Sequence, residues 1–187
     1  MSTSLPSPPA PTAPPDFAAL DDRALDAALA VALFGAAEIV YHPCWYDGEC
    51  GDLHAEGDHA HPFFEGLLRG REDAELHPCT VRYAGRPYPY EPVPRYSADA
   101  SDALAVVEAM NDPERAGRVY NVVAMRTWYG WAVTFRVGFD TPPFDTLDGW
   151  TTAKTFPRAV ALAALHALHA AGALPDAALA LLASPGA

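Results

Sequence analysis

Apolar residues recur every three or four positions in several stretches of this chain, and in another they alternate with polar ones. After the acidic pair Asp21 and Asp22, Leu25, Leu29 and Leu33 follow at intervals of four, with Ala32 and Ala36 on the same stripe. That spacing lays one face of a helix on a core, and the paired carboxylates sit where the helix dipole favours negative charge. The pattern predicts a first helix near residues 17–37, with Gly35 a frayed end. A second helix is predicted over 97–111, capped by the Ser97 hydroxyl, burying Ala100, Leu104, Val107 and Met110 and ending before Pro113. A third, near 156–171, opens on Thr155 as cap with Pro157 in the first turn, where a missing N–H costs nothing. It buries Ala161, Leu165 and Leu168 and stops at Gly172. A short final helix is expected over 175–183.

Between the second and third helices, Val119 to Met125 is apolar on both faces, the pattern of a central strand. Trp131, Val133, Phe135 and Val137 then alternate with Ala132, Thr134 and Arg136, the period of a strand with one better-buried face. Thr127–Gly130 (TWYG) joins the two as a hairpin turn. From residue 41 to 94 the periodicity disappears into a stretch dense in Pro, Gly, His, Cys and Tyr. Only 63–69 offers a helical turn and 80–83 a strand, and RPYPYEPVP at 86–94 must be extended. Irregular segments of that length inside a compact domain are usually functional or disordered. The expectation is therefore an α/β (more closely α+β) fold: a small αβα sandwich with a central antiparallel, hairpin-based sheet and a long irregular insertion at 41–94. It forms a single domain over 16–187, behind a Pro-rich disordered tail at 1–15.

Four blocks carry a resemblance: LDAALAVALFG (25–35), PRYSADASDALAVVEAM (94–110), GWAVTF (130–135) and AKTFPRAVALAAL (153–165). In this order they resemble the phage ABA sandwich domain family, over about half of the chain. Lys154 stands where members typically carry an acid, and the NDPERAGR connection is longer than usual. The resemblance implies an αβα sandwich of phage or prophage origin, and it implies no established activity, catalytic residue or substrate.

The 187 residues suffice for one domain with its own core; a chain of this length buries roughly 70% of its unfolded surface. No stretch approaches the roughly 20 apolar residues that span a bilayer, and the first residues lack the basic start and apolar run of a signal peptide. No membrane association is expected, and the cytoplasm is the expected compartment. With 24 acidic against 12 basic side chains, the net charge is −12. Phosphate neutralisation needs clustered cations, so no nucleic-acid partner is expected. Acidic mimicry of nucleic acid is a further idea, against which the acids form no dense run.

The chemically loaded residues are concentrated in the insertion: His42, Cys44, Cys50, His54, His59, His61, His77 and Cys79. Thiolate and imidazole are what tetrahedral zinc prefers, and a closed structural site needs four ligands. Candidate ligands are Cys44, Cys50, His54, His59, His61, His77 and Cys79, although Cys44-x5-Cys50 exceeds the usual finger spacing. The plainer alternative is a solvated polar loop with the thiols packed as small apolar residues. A metal-dependent hydrolase built on His54, His59 and His61 is a second alternative. The distant histidine and bridging acid such an enzyme uses are not evident. No nucleophile elbow, dinucleotide fingerprint or P-loop occurs, and no catalytic residue is assigned. His166 and His169, one turn apart, read as surface or half-buried helix residues that would titrate near neutrality. Trp128, Tyr129 and Trp131, with Tyr83, Tyr88 and Tyr90, either pack the hairpin or stack on a planar ligand such as a nucleotide. The functional expectation is thus a phage- or prophage-type accessory protein acting as a non-enzymatic binding domain. Its partner would be a small molecule or a host or phage protein, with structural zinc as its one candidate cofactor; a nucleotide-sequestering protein is the alternative.

Overall fold

A computed structural model describes residues 16–43, 76–83, 91–138 and 150–183. The α+β class read from the pattern is what the chain has: helices and two antiparallel sheets, each three-stranded among these residues.

A single 3-10 turn, Phe17–Ala19, precedes helix α1, Asp22–Phe34. The first helix is therefore shorter than 17–37. Asp21 accepts from the Ala24 N–H at 2.7 Å and caps α1, so no continuous helix runs through from Phe17. At the other end Gly35 turns left-handed, with φ 70°, a conformation glycine adopts without penalty. Strand β1, Ala36–Pro43, starts immediately after it. It pairs antiparallel with β2, Leu76–Tyr83, which pairs with the two residues of β3, Glu91–Pro92. The interval 41–94 is expected to be irregular apart from a strand over 80–83, which β2 contains. Its described residues instead belong largely to this sheet, whose first strand takes up residues read as the end of a helix. The Pro-rich tail, the helical turn at 63–69 and most of the insertion lie outside the described residues.

Helix α2, Ala100–Asn111, is capped by Asp99, which accepts from the N–H groups of Ser101 and Asp102 at 2.7 and 3.2 Å. Ser97 is not the cap. Its N–H donates to Asp26 at 2.7 Å and its hydroxyl to the Asp22 carbonyl at 3.1 Å, tying this segment to α1. The buried stripe of α2 is Ala103, Val106, Ala109 and Met110; it shares Met110 with the expected set but has Ala103 and Val106 in place of Leu104 and Val107, and Leu104 is 53% exposed. The short α3, Pro113–Ala116, leads into the hairpin β4, Asn121–Thr127, and β5, Gly130–Arg136. Trp128 and Tyr129 form its turn between the paired Thr127 and Gly130. Strand β6, Thr151–Ala153, pairs with the first half of β5, so the order is β4-β5-β6. The central strand of this sheet is β5, buried on both faces over Ala132–Phe135, whereas β4 is an edge strand. The apolar run of Val119–Met125 was thus a misleading signal of centrality.

Helix α4, Phe156–Ala170, opens on Thr155 with Pro157 in its first turn and ends before Gly172. Residues Ala159–Leu165 are all buried, so the helix is enclosed on nearly every side. It lies on β5 and β6, and it also packs on α2 and α1. Helix α1 in turn meets β2 and the final helix α5, Asp176–Ala183. Small side chains explain the close fit: Ala159, Ala161, Ala163 and Ala164 bring neighbouring backbones together around Leu162, Leu165 and Leu168. Full burial of each leucine contributes roughly 2 kcal/mol. Arg158 fastens the N-terminus of α4 to the segment before α1. Its guanidinium pairs with Asp22 and donates to the carbonyls of Ala18 and Leu20 at 3.2 and 2.7 Å. No helix among the described residues is long and apolar enough to cross a membrane.

Candidate functional site

Of the insertion's candidate metal ligands, Cys44, Cys50, His54, His59 and His61 lie outside the described residues. His77 and Cys79 lie on β2. The register sets His42 on β1 directly opposite His77. Between Val40 and Tyr41 the ladder shifts, because Val40 opposes Thr80 while Tyr41 opposes Pro78, and this leaves Cys79 as the extra residue of a bulge. Bulges re-aim a strand locally and recur next to functional sites. Among the described residues no three His, Cys, Asp or Glu side chains group around a metal position.

The most developed cavity is elsewhere. Strand β6 covers β5 only as far as Val133, and beside Thr134–Arg136 the sheet edge opens onto the second half of α4. A cavity of about 500 Å³ fills this corner. Among the described residues it is lined by Thr134, Phe135, Arg136, Trp150, Thr151, Ala163, His166, Ala167 and Ala170. The alanines of α4 make the room, since a larger side chain at those positions would close it.

Arg136 gives the cavity its chemistry. It is half-buried, its Nε is shielded from solvent, and that atom has no hydrogen-bond partner among the described residues. The other half-buried arginines among the described residues all pair with carboxylates: Arg23 with Asp26, Arg82 with Glu38 and Arg158 with Asp22. Leaving a guanidinium N–H buried and unsatisfied costs about 1–3 kcal/mol. His166 lines the same space, with its ring edge-on to Phe17 at 4.7 Å; His169 meets Phe17 at 5.9 Å. Partial burial, and then the neighbouring His169, hold the His166 imidazole below the usual histidine value against the opposing pull of Asp16. It is therefore neutral near pH 7 and able to donate one hydrogen bond and accept another.

A second, smaller cavity of about 310 Å³ lies at the hairpin turn, lined by Thr127, Tyr129, Trp131, Thr152, Ala153 and Lys154. Of the aromatics singled out in the sequence, Trp128 and Tyr129 are 100% and 94% exposed, while Trp131 packs edge-on against Phe156 at 5.1 Å. Tyr83 is buried in the core, and Tyr88 and Tyr90 lie outside the described residues.

Arg136 and Trp150 drew no attention in the sequence, although a signal was present. Between Arg115 and Phe139, and again between Gly149 and Pro175, there is no aspartate or glutamate. Those two stretches hold Arg115, Arg118, Arg126, Arg136, Lys154 and Arg158, six of the chain's 12 basic residues. The hairpin sheet is thus a cationic region within an acidic protein. Comparison with known proteins finds no matching family model, no similar curated protein and no similar solved structure.

Proposed function

We propose that this chain is a non-enzymatic binding domain whose ligand is a small organic anion held in the corner between β5, Trp150 and α4. One observation carries the proposal: Arg136 stands half-buried on the cavity wall with its Nε unpartnered among the described residues, in a protein where acids outnumber bases two to one. A carboxylate or phosphate would supply the missing acceptor, since the guanidinium fork matches both geometrically. The hydroxyls of Thr134 and Thr151 and the neutral His166 suit the remaining polar atoms of such a ligand. Trp150 and Phe135 suit its apolar part. The four sequence blocks that resemble the phage ABA sandwich family form most of α1, the lead-in to α2 with nearly all of that helix, most of β5, and β6's last residue with the first two thirds of α4. They support a phage- or prophage-type accessory role for the domain. The test is titration with sulfate, citrate and phenyl phosphate, followed by calorimetry and thermal denaturation. Binding by at least one, weakened tenfold or more by Arg136→Gln, is expected; no binding at millimolar concentrations would sink the reading.

A structural zinc is a second reading, favoured by the register that sets His42 opposite His77 next to the Cys79 bulge. Directly opposed residues of an antiparallel pair have Cβ atoms about 5 Å apart, within reach of one ion. Elemental analysis of the purified protein decides it. One zinc per chain, lost in the His42→Ala and His77→Ala variants, is expected, and metal-free folded protein would rule it out.

A further inference from the structure

The hairpin turn poses a separate question. Two-residue turns are normally filled by Gly, Asn or Asp, which accept the backbone geometry that closes a twisted hairpin. Here the two positions are Trp128 and Tyr129, which serve neither the turn nor the core: both project into solvent. Fully exposed large aromatics without a packing role mark contact surfaces.

Their surroundings define what they contact. Arg126 lies opposite Trp131 in the ladder, and its guanidinium rests over the indole ring, 5.4 Å from the centroid. Trp131 is itself fixed by Phe156, so the cation is positioned by an ordered ring rather than left on a free side chain. Lys154, the chain's only lysine, lines the cavity beside Tyr129 and Trp131; it is exposed and without an ion pair among the described residues. Gly130 brings the hairpin against β6 closely enough to join the walls: a Cβ there would lie 2.2 Å from the Ala153 carbonyl oxygen. No acidic residue occurs on β4, β5 or β6. Free aromatic faces flanked by two unopposed cations, beside a cavity of about 310 Å³, form a stacking platform with an anion clamp.

We infer that the hairpin turn is a binding site for a planar heteroaromatic ring bearing a phosphate, the chemistry of a nucleotide. The ring stacks on Tyr129 and Trp128, and Lys154 and Arg126 take the phosphate. The site is distinct from the Arg136 cavity and does not depend on it. The same chemistry is offered by a free nucleotide and by one unit of a single strand. The net charge of −12 repels a long polyanion, whereas a mononucleotide meets only the local cations.

The experiment titrates the full chain with AMP, adenosine, ribose 5-phosphate and a hexamer of adenylate, following calorimetry and tryptophan fluorescence. AMP is expected to bind and to quench fluorescence. Adenosine and ribose 5-phosphate should each bind about tenfold more weakly or worse, because stacking and charge both contribute. Tyr129→Ala and Lys154→Gln should each weaken AMP about tenfold, Trp128→Phe should remove most of the quenching, and Arg136→Gln should leave AMP unaffected. Trp128, Tyr129 and Lys154 are exposed, so the folded state survives their substitution. A hexamer no tighter than AMP identifies the free nucleotide as the ligand, and a much tighter, steeply salt-dependent hexamer identifies the strand, at the same site. The inference is overturned by no AMP binding at millimolar concentration or by ribose 5-phosphate binding as well as AMP. Loss of AMP binding in Arg136→Gln with none in Tyr129→Ala would also overturn it, placing the ligand in the other cavity.

Discussion

Asp26 shows how a single buried side chain couples distant parts of the chain. It lies inside α1, 1% exposed, accepting from the Ser97 N–H at 2.7 Å and from Arg23 at 3.3 Å. Burial pushes its carboxyl up to about 6, outweighing the hydrogen bonds from Ser97 and the charge of Arg23, which pull the other way. A carboxyl whose folded value exceeds its unfolded one contributes most when protonated. Its contribution is complete below the unfolded value near 3.8 and is lost as pH rises through about 6. The difference corresponds to roughly 2 kcal/mol of stability lost between pH 4 and pH 7. Asp26→Asn keeps an acceptor for Ser97 and removes the charge. In urea unfolding the variant should therefore gain on the wild type as pH rises from 4 to 7; a difference independent of pH would show that Asp26 does not titrate in this window. Neither partner was legible in the sequence. Ser97 followed by an Ala-rich amphipathic stretch reads as a helix cap, because local rules see only nearby N–H groups. Its real partners lie 71 and 75 residues away.

At the level of elements, what the sequence conveyed well was period, and what it conveyed poorly was phase and pairing. In α1 and α4 the large residues Leu25, Leu29, Leu33, Leu165 and Leu168 mark one face, and all are buried as expected. In α2 the residues are mostly Ala and Val, so several stripes fit the same period. Leu104, the helix's one leucine, pulled the expected stripe toward solvent. The corrected phase makes a direct prediction. Leu104→Gln should change stability by no more than about 0.5 kcal/mol, whereas Val106→Ala should cost about 2 kcal/mol; chemical denaturation of the two variants distinguishes the assignments, and the reverse order would restore the original stripe. Strand β1 was missed because its partner β2 begins more than 30 residues later, and nothing local in AAEIVYHP separates a strand from a helix end. The junction of β5 and β6 was equally invisible. Gly130 has φ 146°, and a Cβ would strike the Ala153 carbonyl oxygen at 2.2 Å and the Lys154 Cα at 2.8 Å, both backbone atoms. Gly130→Ala should therefore cost about 3 kcal/mol or more, read as a fall in the denaturation midpoint. A neutral outcome would mean that β6 does not press on the hairpin.

For the molecule as a whole, net charge conceals how charge is distributed. A value of −12 argued against nucleic acid, but it averages an acidic majority with a hairpin sheet that carries no acid. The Cys/His cluster stands out because its residue types are chemically loud, whereas Arg136 is unremarkable until the fold shows that, among the described residues, it alone of the half-buried arginines lacks a carboxylate. Local field, rather than total charge, then governs the cavity beside it, and His166 makes that field depend on pH. Its imidazole is neutral near pH 7 because burial and His169 hold it below the ordinary value, with Asp16 opposing. In the free protein this group contributes stability above its unfolded value that is lost as pH falls through the depressed folded one. An anion bound beside it reverses the balance, since protonation then adds a second positive charge facing the ligand and Arg136. Sulfate stays divalent across the range and is the clean probe. Its affinity should rise severalfold between pH 7 and pH 5, with uptake of a proton on binding measured by calorimetry in buffers of different ionisation enthalpy. Asp26 also titrates in this interval, so the series is best run in the Asp26→Asn background. There His166→Gln should flatten the pH dependence while Arg136→Gln weakens sulfate at every pH. A rise in affinity that survives His166→Gln would place the titrating group outside the cavity and detach His166 from the site.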